Sequence, residues 1–444
     1  MKKTFFLIPL YIVSFYFSSL LLSHAQTAEP EHIVLTWKGD PSESQSVTWR
    51  TGVVLNNPIA QLALANSSSI ETALDQTFQA TIQKVENMEG VVHYYYSVTF
   101  EGLKPGGTYR YRVGDIDNKM SAWSQFTTTN KEKEPYSFLY LGDIQNEVFS
   151  WGSRTIRAAY AKAPKAGFML FAGDLINDGH QDSQWKEWFR ALGHIRTMKP
   201  IVPVIGNHEY DTSPENPDEE VISMYWQPQF ELPLNGPEGL EESVYYIDYK
   251  DMRLVVMNSL VALKSPEELQ KQSDYLERVL SDNPQKWTVV SFHHPFFTAR
   301  DGRHGNYPNL RNAWQPILEK HKVDLVLKGH DHVYARGAHQ TKTIEVPKGQ
   351  AGPVYVVSVA GPKMYGIVPE KRWMDRAGVN TQLYQVITID GDLLKYRAYT
   401  VMDELYDSFD LQKQDKEYNI FTEHISSPKD PENNFPNGTT LRSK

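Results

Sequence analysis

Hydrophobic and polar residues alternate in short runs over the first quarter of the chain, at 32–37, 45–50, 91–100, 109–113 and 122–128. Turn-forming clusters, Gly39-Asp40-Pro41 and Lys104-Pro105-Gly106-Gly107, stand between them. A period of two in short segments broken by Gly and Pro is the pattern of half-buried strands. Their number and spacing predict an all-β sandwich over residues 26–130. The polar stretch 130–134 reads as a linker.

From about residue 135 the pattern changes. Apolar runs at 137–141, 168–172, 201–205, 254–257, 287–292, 323–327 and 354–359 alternate with helix-like stretches such as 153–162, 266–280 and 310–321. Ser265, with Pro266 after it and Glu268 three residues on, forms a capping box that starts one of these helices. Strand–helix alternation predicts an α/β domain over residues 131–410, continuing through strand-like segments at 382–389 and 394–400. Residues 411–444 are polar with scattered prolines and read as a loosely held tail. No internal repeat is present.

The first 25 residues carry a separate message. Lys2 and Lys3 precede an apolar run at 5–22, and Ser23-His24-Ala25 offers small residues where a signal peptidase cuts. This is the pattern of a secretory signal peptide, and it predicts a secreted or periplasmic protein. An uncleaved anchor is the alternative; after cleavage no span is expected.

Composition narrows the picture further. At 444 residues, 40% hydrophobic and 22% charged, the chain has ample material for a large core. A net charge of -9 argues against nucleic-acid binding, which calls for basic clusters. The chain has no cysteine, so disulfides, thiolate ligands and thiol nucleophiles are excluded.

Five of the apolar runs end alike, in Gly or His followed by a metal-capable side chain. They are Gly142-Asp143-Ile144-Gln145, Gly173-Asp174, Gly206-Asn207-His208-Glu209, His293-His294-Pro295 and Gly329-His330-Asp331-His332. Singly, each has an ordinary reading as a turn, a helix cap or a packed strand end. Together they would converge, because sites in α/β sheets form at the carboxyl ends of strands. Oxygen and imidazole donors without sulfur suit Fe, Mn or Zn.

The ordered set Gly-Asp, Gly-Asp, Gly-Asn-His-Glu, His, Gly-His-x-His resembles the calcineurin-like metallophosphoesterases. With the front domain, whose segment 103–111 resembles the end of a fibronectin type III domain, the plan looks like that of the purple acid phosphatases. The resemblance implies a four-layer α/β/β/α sandwich and a two-metal centre. It places Asp143 and His332 on the first metal, Asp174 as the bridge, and Asn207, His293 and His330 on the second. His293 is preferred to His294 on the family pattern, and His208 would face the substrate as a non-ligand histidine. Arg303 and His304 fall where the family places substrate contacts. Lys363 would line the cleft, and Arg336 would pack or orient a ligand from behind. His180 is expected on the surface, and Trp185, Trp188 and Trp226 in the core or at the domain interface.

The resemblance also has breaks. The tyrosine that colours purple acid phosphatases is replaced by Asn177, and Gln145 stands where relatives have a histidine or a small residue. The first metal would then be completed by the amide oxygen of Gln145, less readily by Asn177, or by water. The expected activity is hydrolysis of small-molecule phosphate monoesters by in-line attack of a metal-bound hydroxide. A phosphodiesterase or nucleotidase on the same centre is the alternative, and a non-catalytic surface-binding protein is a third reading.

Overall fold

The computed structural model describes residues 27–68, 76–300, 307–338, 345–367, 373–414 and 417–425. The signal segment, Arg303 and His304 lie outside the described residues.

The front domain consists of two four-stranded antiparallel sheets. One orders Glu31–Thr36, Gln45–Thr51, Val92–Phe100 and Thr81–Glu86; the other orders Gln76–Gln79, Pro58–Leu64, Thr108–Asp115 and Ser124–Thr127. Alternate residues of each sheet meet between them: Val47, Trp49, Tyr96 and Val98 pack against Ala60, Leu62, Tyr111 and Phe126. Part of the opposite face of the first sheet is also buried. Val34 and Tyr95 join the core of the second domain, so successive tyrosines, Tyr95 and Tyr96, serve two different cores.

The second domain holds an eight-stranded and a seven-stranded sheet. In the first, Ile201–Pro203, Met169–Phe171 and Tyr136–Leu141 lie side by side in parallel, followed by the antiparallel strands Leu383–Asp390, Leu393–Thr400, Leu405–Gln412 and Asn419–Glu423. In the second, Met252–Val256, Trp287–Ser291, Leu325–Lys328 and Val354–Val357 are parallel neighbours. Strand residues of one parity, such as Leu254, Val289 and Leu327, face the first sheet. Those of the other parity, Val255, Val290 and Val326, face the helices Pro266–Ser281 and Pro308–Lys320. The helices Ser153–Lys162 and Asp182–Leu192 cover the first sheet through Ile156, Ala159, Trp185 and Trp188. Two sheets between two helical layers give the four-layer α/β/β/α arrangement. The helix predicted at Pro266 is capped by Ser265, whose hydroxyl accepts from the Glu268 amide at 3.2 Å.

Two expectations are corrected. The chain beyond Leu411 is not a loose tail from its start: Asn419–Glu423 pairs with Leu405–Gln412 and with Gln350–Ala351. Its anchors come from far along the chain. Lys413 and Asn419 bind Asp324 at 2.7 and 2.5 Å, and Arg336 bonds Asp407 at 2.7 Å and also Glu423. Local polarity gave no sign of them. Arg336 therefore packs by tying these late strands to the second sheet. His180 is buried, not on the surface: its backbone amide bonds Asp211 at 3.2 Å and its ring accepts from the Met224 amide at 3.3 Å. Trp185, Trp188 and Trp226 are fully buried, as expected.

The two domains are joined by a buried ion pair. Arg50, on the front sheet, donates to Asp182 at the start of helix Asp182–Leu192, to Glu31 at 2.8 Å and to the Tyr95 hydroxyl at 3.0 Å. Burial opposes ionisation of Asp182, but the His93 ring 3.6 Å away and the Arg50 charge and hydrogen bond hold its carboxyl well below the usual range. Its stabilising contribution is therefore full above the unfolded value near ~3.9 and is lost as pH falls below it. Removing one member of a buried pair strands the other, so Asp182→Ala is expected to cost on the order of 3 kcal/mol. Thermal unfolding at pH 7 and pH 3 checks this: the wild type should lose more stability between the two than the variant does.

Candidate metal centre

The five metal-capable strand ends meet at one edge of the sandwich. Asp143 follows Tyr136–Leu141, Asp174 follows Met169–Phe171, and Asn207 follows Ile201–Pro203, all from the first sheet. His293 follows Trp287–Ser291, and His330 and His332 follow Leu325–Lys328, from the second. Close approach of the two sheets needs glycine. A Cβ at Gly173, where φ is +91°, would lie 2.5 Å from His293 Nδ1 and 2.9 Å from Gly206 Cα. Asp174, His330 and His332 themselves hold φ of 53°, 75° and 50°, a left-handed backbone that such residues adopt under constraint.

Two groups of donor atoms result. Asp174, His293 and His330 offer atoms all within 4.8 Å of one another, and so do Asp143, Asp174 and His332. Asp174 is common to both. Asn207 joins the first group, its Oδ1 lying 3.2 Å from His293 Nε2 and 3.1 Å from His330 Nδ1. The outer nitrogen of each imidazole has its own partner. His293 Nδ1 donates to the Ala172 carbonyl at 2.9 Å and His332 Nδ1 to the Lys363 carbonyl at 2.8 Å. His330 Nε2 meets the Tyr307 hydroxyl at 2.8 Å. Such partners fix ring orientation and leave the inner nitrogens for the shared space. His294, by contrast, bonds Ser259 through Nδ1 at 2.9 Å.

Electrostatics also favour a cation here. Asp143 is fully buried, and its Oδ2 has no hydrogen-bond partner. Burial pushes its carboxyl up, against the pull of His293 and with the Asp174 charge adding to the rise. Burial acts the same way on Asp174, yet His293 holds it well below its ordinary value. Burial would lower His293 in turn, but Asp174 and Asp143 push it up to about 10. Two adjacent buried carboxylates thus require positive charge between them, which a metal ion supplies as well as a proton does. The orphaned oxygen and the donor set fit a two-metal centre.

His208 sits beside this cluster. Its amide donates to Asp174 Oδ1 at 3.1 Å and its Nδ1 to the Asn177 carbonyl at 2.5 Å. The Asn177 side chain turns to Asp178, at 3.3 Å. Gln145 is fully buried next to Asp174. In the orientation that satisfies its neighbours, its nitrogen donates to Asp174 Oδ2 at 3.0 Å, and its oxygen accepts from Lys363 Nζ at 2.6 Å and His208 Nε2 at 3.3 Å.

Sequence reasoning gave no role to Glu209 or Tyr307. Glu209, fully buried, accepts from the amides of Asp174 at 3.0 Å, Leu175 at 2.6 Å and Gly206 at 2.6 Å. It thereby pins together the two loops that carry Asp174 and Asn207. Its place in Gly206-Asn207-His208-Glu209 was the available signal. Tyr307, next to a segment with no motif, offered none.

The comparisons agree with this geometry. Residues 116–334 match the calcineurin-like phosphoesterase family model, and residues 30–128 match the purple acid phosphatase N-terminal domain. A relative from Arabidopsis thaliana, Fe(3+)-Zn(2+) purple acid phosphatase 12, is 21% identical over 358 residues, covering 77% of this chain and 74% of its own. Purple acid phosphatase 15 of the same plant is 23% identical, covering 74% and 67%. A purple acid phosphatase structure from yellow lupin (Lupinus luteus) seeds aligns with TM-score 0.74 at 18% identity, over 87% of this chain and 75% of that one. A structure of PhoD aligns with TM-score 0.64 at 12% identity, over 89% and 92%. Fold and site define a metal-dependent phosphoric ester hydrolase. Within that class the chain combines a calcineurin-like phosphoesterase domain with a purple acid phosphatase N-terminal domain in front of it.

Glu209→Ala leaves three buried N–H groups without an acceptor. Metal affinity is expected to fall about 10–100-fold, as for other residues that orient ligands. Calorimetric titration of the metal-free protein with Zn or Mn measures it.

Proposed function

We propose that the protein is an extracytoplasmic phosphatase that cleaves phosphate monoesters at a centre of two metal ions. The observation that carries this reading is the pair of donor groups sharing Asp174, with His208 alongside. Asp143, Asp174 and His332 would hold one ion, and Asp174, Asn207, His293 and His330 the other. When bound, the two ions supply an activated water and neutralise phosphoryl oxygens. Fe, Zn and Mn all suit these donors.

The chain's own residues complete the chemistry. The Asn177 carbonyl fixes the His208 ring, so that Nε2 is aimed to stabilise charge or pass a proton to the leaving oxygen. Glu209 keeps the loops of Asp174 and Asn207 in register. Arg303 and His304 are retained as substrate contacts. The apolar run at 5–22 supports export. Among the described residues no helix is long and apolar enough to cross a membrane.

Two variants test the reading with p-nitrophenyl phosphate. Asp174→Ala should lose both metal and activity. His208→Ala should keep its metal and lose kcat by about 10²–10⁴-fold, the usual worth of a positioned acid–base group. Activity surviving in Asp174→Ala would defeat the proposal.

With asparagine at 177 in place of tyrosine, the metal-loaded protein is expected not to be purple. A tyrosinate charge-transfer band in its visible spectrum would contradict that.

A further inference from the structure

The loop after strand Val354–Val357 brings a lysine into the centre by a fixed route. The amides of Ala360 and Gly361 donate to the Asp143 carbonyl at 2.9 and 2.7 Å. Gly361 lies so close to the first motif that a Cβ there would be 2.8 Å from the Ile144 carbonyl carbon and 2.9 Å from the Gln145 carbonyl oxygen. Two residues on, the Lys363 carbonyl accepts from His332 Nδ1 at 2.8 Å. The backbone of Lys363 is thus held by one of the candidate ligands.

Its side chain turns back toward the substrate side. With the Gln145 amide in the orientation that satisfies its neighbours, Lys363 Nζ is 2.6 Å from its oxygen, which also faces His208 Nε2 at 3.3 Å. The Gln145 nitrogen is anchored on Asp174 Oδ2 at 3.0 Å. The buried amide therefore connects the shared carboxylate to two nitrogen donors, Lys363 and His208. Its oxygen is taken up by these donors. In this orientation Gln145 is a bracket for Lys363 and His208. Lys363 is half-buried, and its nearest polar partner is this neutral amide. An ammonium carries three donors, more than one neutral amide oxygen takes up, and an anion completes its shell with charge-assisted hydrogen bonds.

We propose that Lys363, bracketed by Gln145, is a specificity-determining cation that binds a non-bridging phosphoryl oxygen and selects dianionic monoesters over diesters. This rests on the phosphoester reading above and deepens it. A monoester brings a doubly charged group with three non-bridging oxygens, while a diester brings one charge and two such oxygens. A fixed ammonium beside the two-metal centre stabilises the additional charge and oxygen of the monoester. His208 keeps its place at the leaving oxygen.

The test uses the metal-loaded full chain and the variants Lys363→Met and Lys363→Arg. Metal content, kcat/KM for p-nitrophenyl phosphate and bis-p-nitrophenyl phosphate, and calorimetric binding of inorganic phosphate are measured for each. With metal content unchanged, Lys363→Met should weaken phosphate binding and raise the monoester KM by about 10–100-fold, the range of one charge-assisted hydrogen bond. Diester turnover should fall less, so that the monoester-to-diester ratio drops by about tenfold, and Lys363→Arg should restore most of it. Parallel loss on both esters, or phosphate affinity unmoved in Lys363→Met, would overturn the proposal. If the wild type cleaves neither ester yet binds phosphate through Lys363, the clamp stands and the catalytic reading fails. If it neither cleaves nor binds, both fail.

Discussion

Everything at the functional edge of this protein depends on one buried carboxylate. Asp174 lies at the point where the parallel strands of two sheets end against each other, and it belongs to both donor groups. It is kept there by its left-handed backbone, by Gly173 before it and by the Glu209 carboxylate that takes its amide. A buried carboxylate beside Asp143 is unfavourable without positive charge. The folded chain thus creates a demand for cations, and the imidazoles of His293, His330 and His332 surround the space where they would sit.

The same carboxylate links the centre to its surroundings. Through Gln145 it is connected to Lys363 and His208, and through the His208 amide to the loop that carries Asn207. The segment that begins at Asp174 runs on to Asp182, where Arg50 of the front domain is bound. The front sandwich, which carries no catalytic signature, thereby braces the helix that follows the bridging residue. Strand Gln45–Thr51 of its first sheet is buried along its whole length, and Val34 and Tyr95 of the same sheet join the second domain's core, so the two domains share part of one core.

Groups that stand beside the metal-capable residues in sequence also meet partners from far along the chain. Gln145 occupies the motif position next to Asp143 and Ile144. In the fold its oxygen meets an ammonium and an imidazole that come from positions 363 and 208. Asn177, the other candidate for the missing tyrosinate, turns its side chain to Asp178 and uses its backbone carbonyl to hold His208. Neither contact has a counterpart in local sequence.

What the sequence determined by itself was periodic or tightly spaced. The two-residue alternation marked the front strands, and the strand–helix rhythm marked the second domain. The Gly-Asp, Gly-Asn-His-Glu and His-x-His endings marked which residues would gather, because a strand end followed by a sharp turn fixes where its next side chain can go. The tertiary structure alone decided which groups face one another across the two sheets. Tyr307 on His330, Glu209 across two loops, Lys363 on Gln145, and Asp324 and Arg336 holding the strands beyond Leu411 are all of this kind. Each is a contact between residues whose meeting is set by the packing of whole layers, and hydrophobic periodicity records which face of a strand is buried but not what it is buried against.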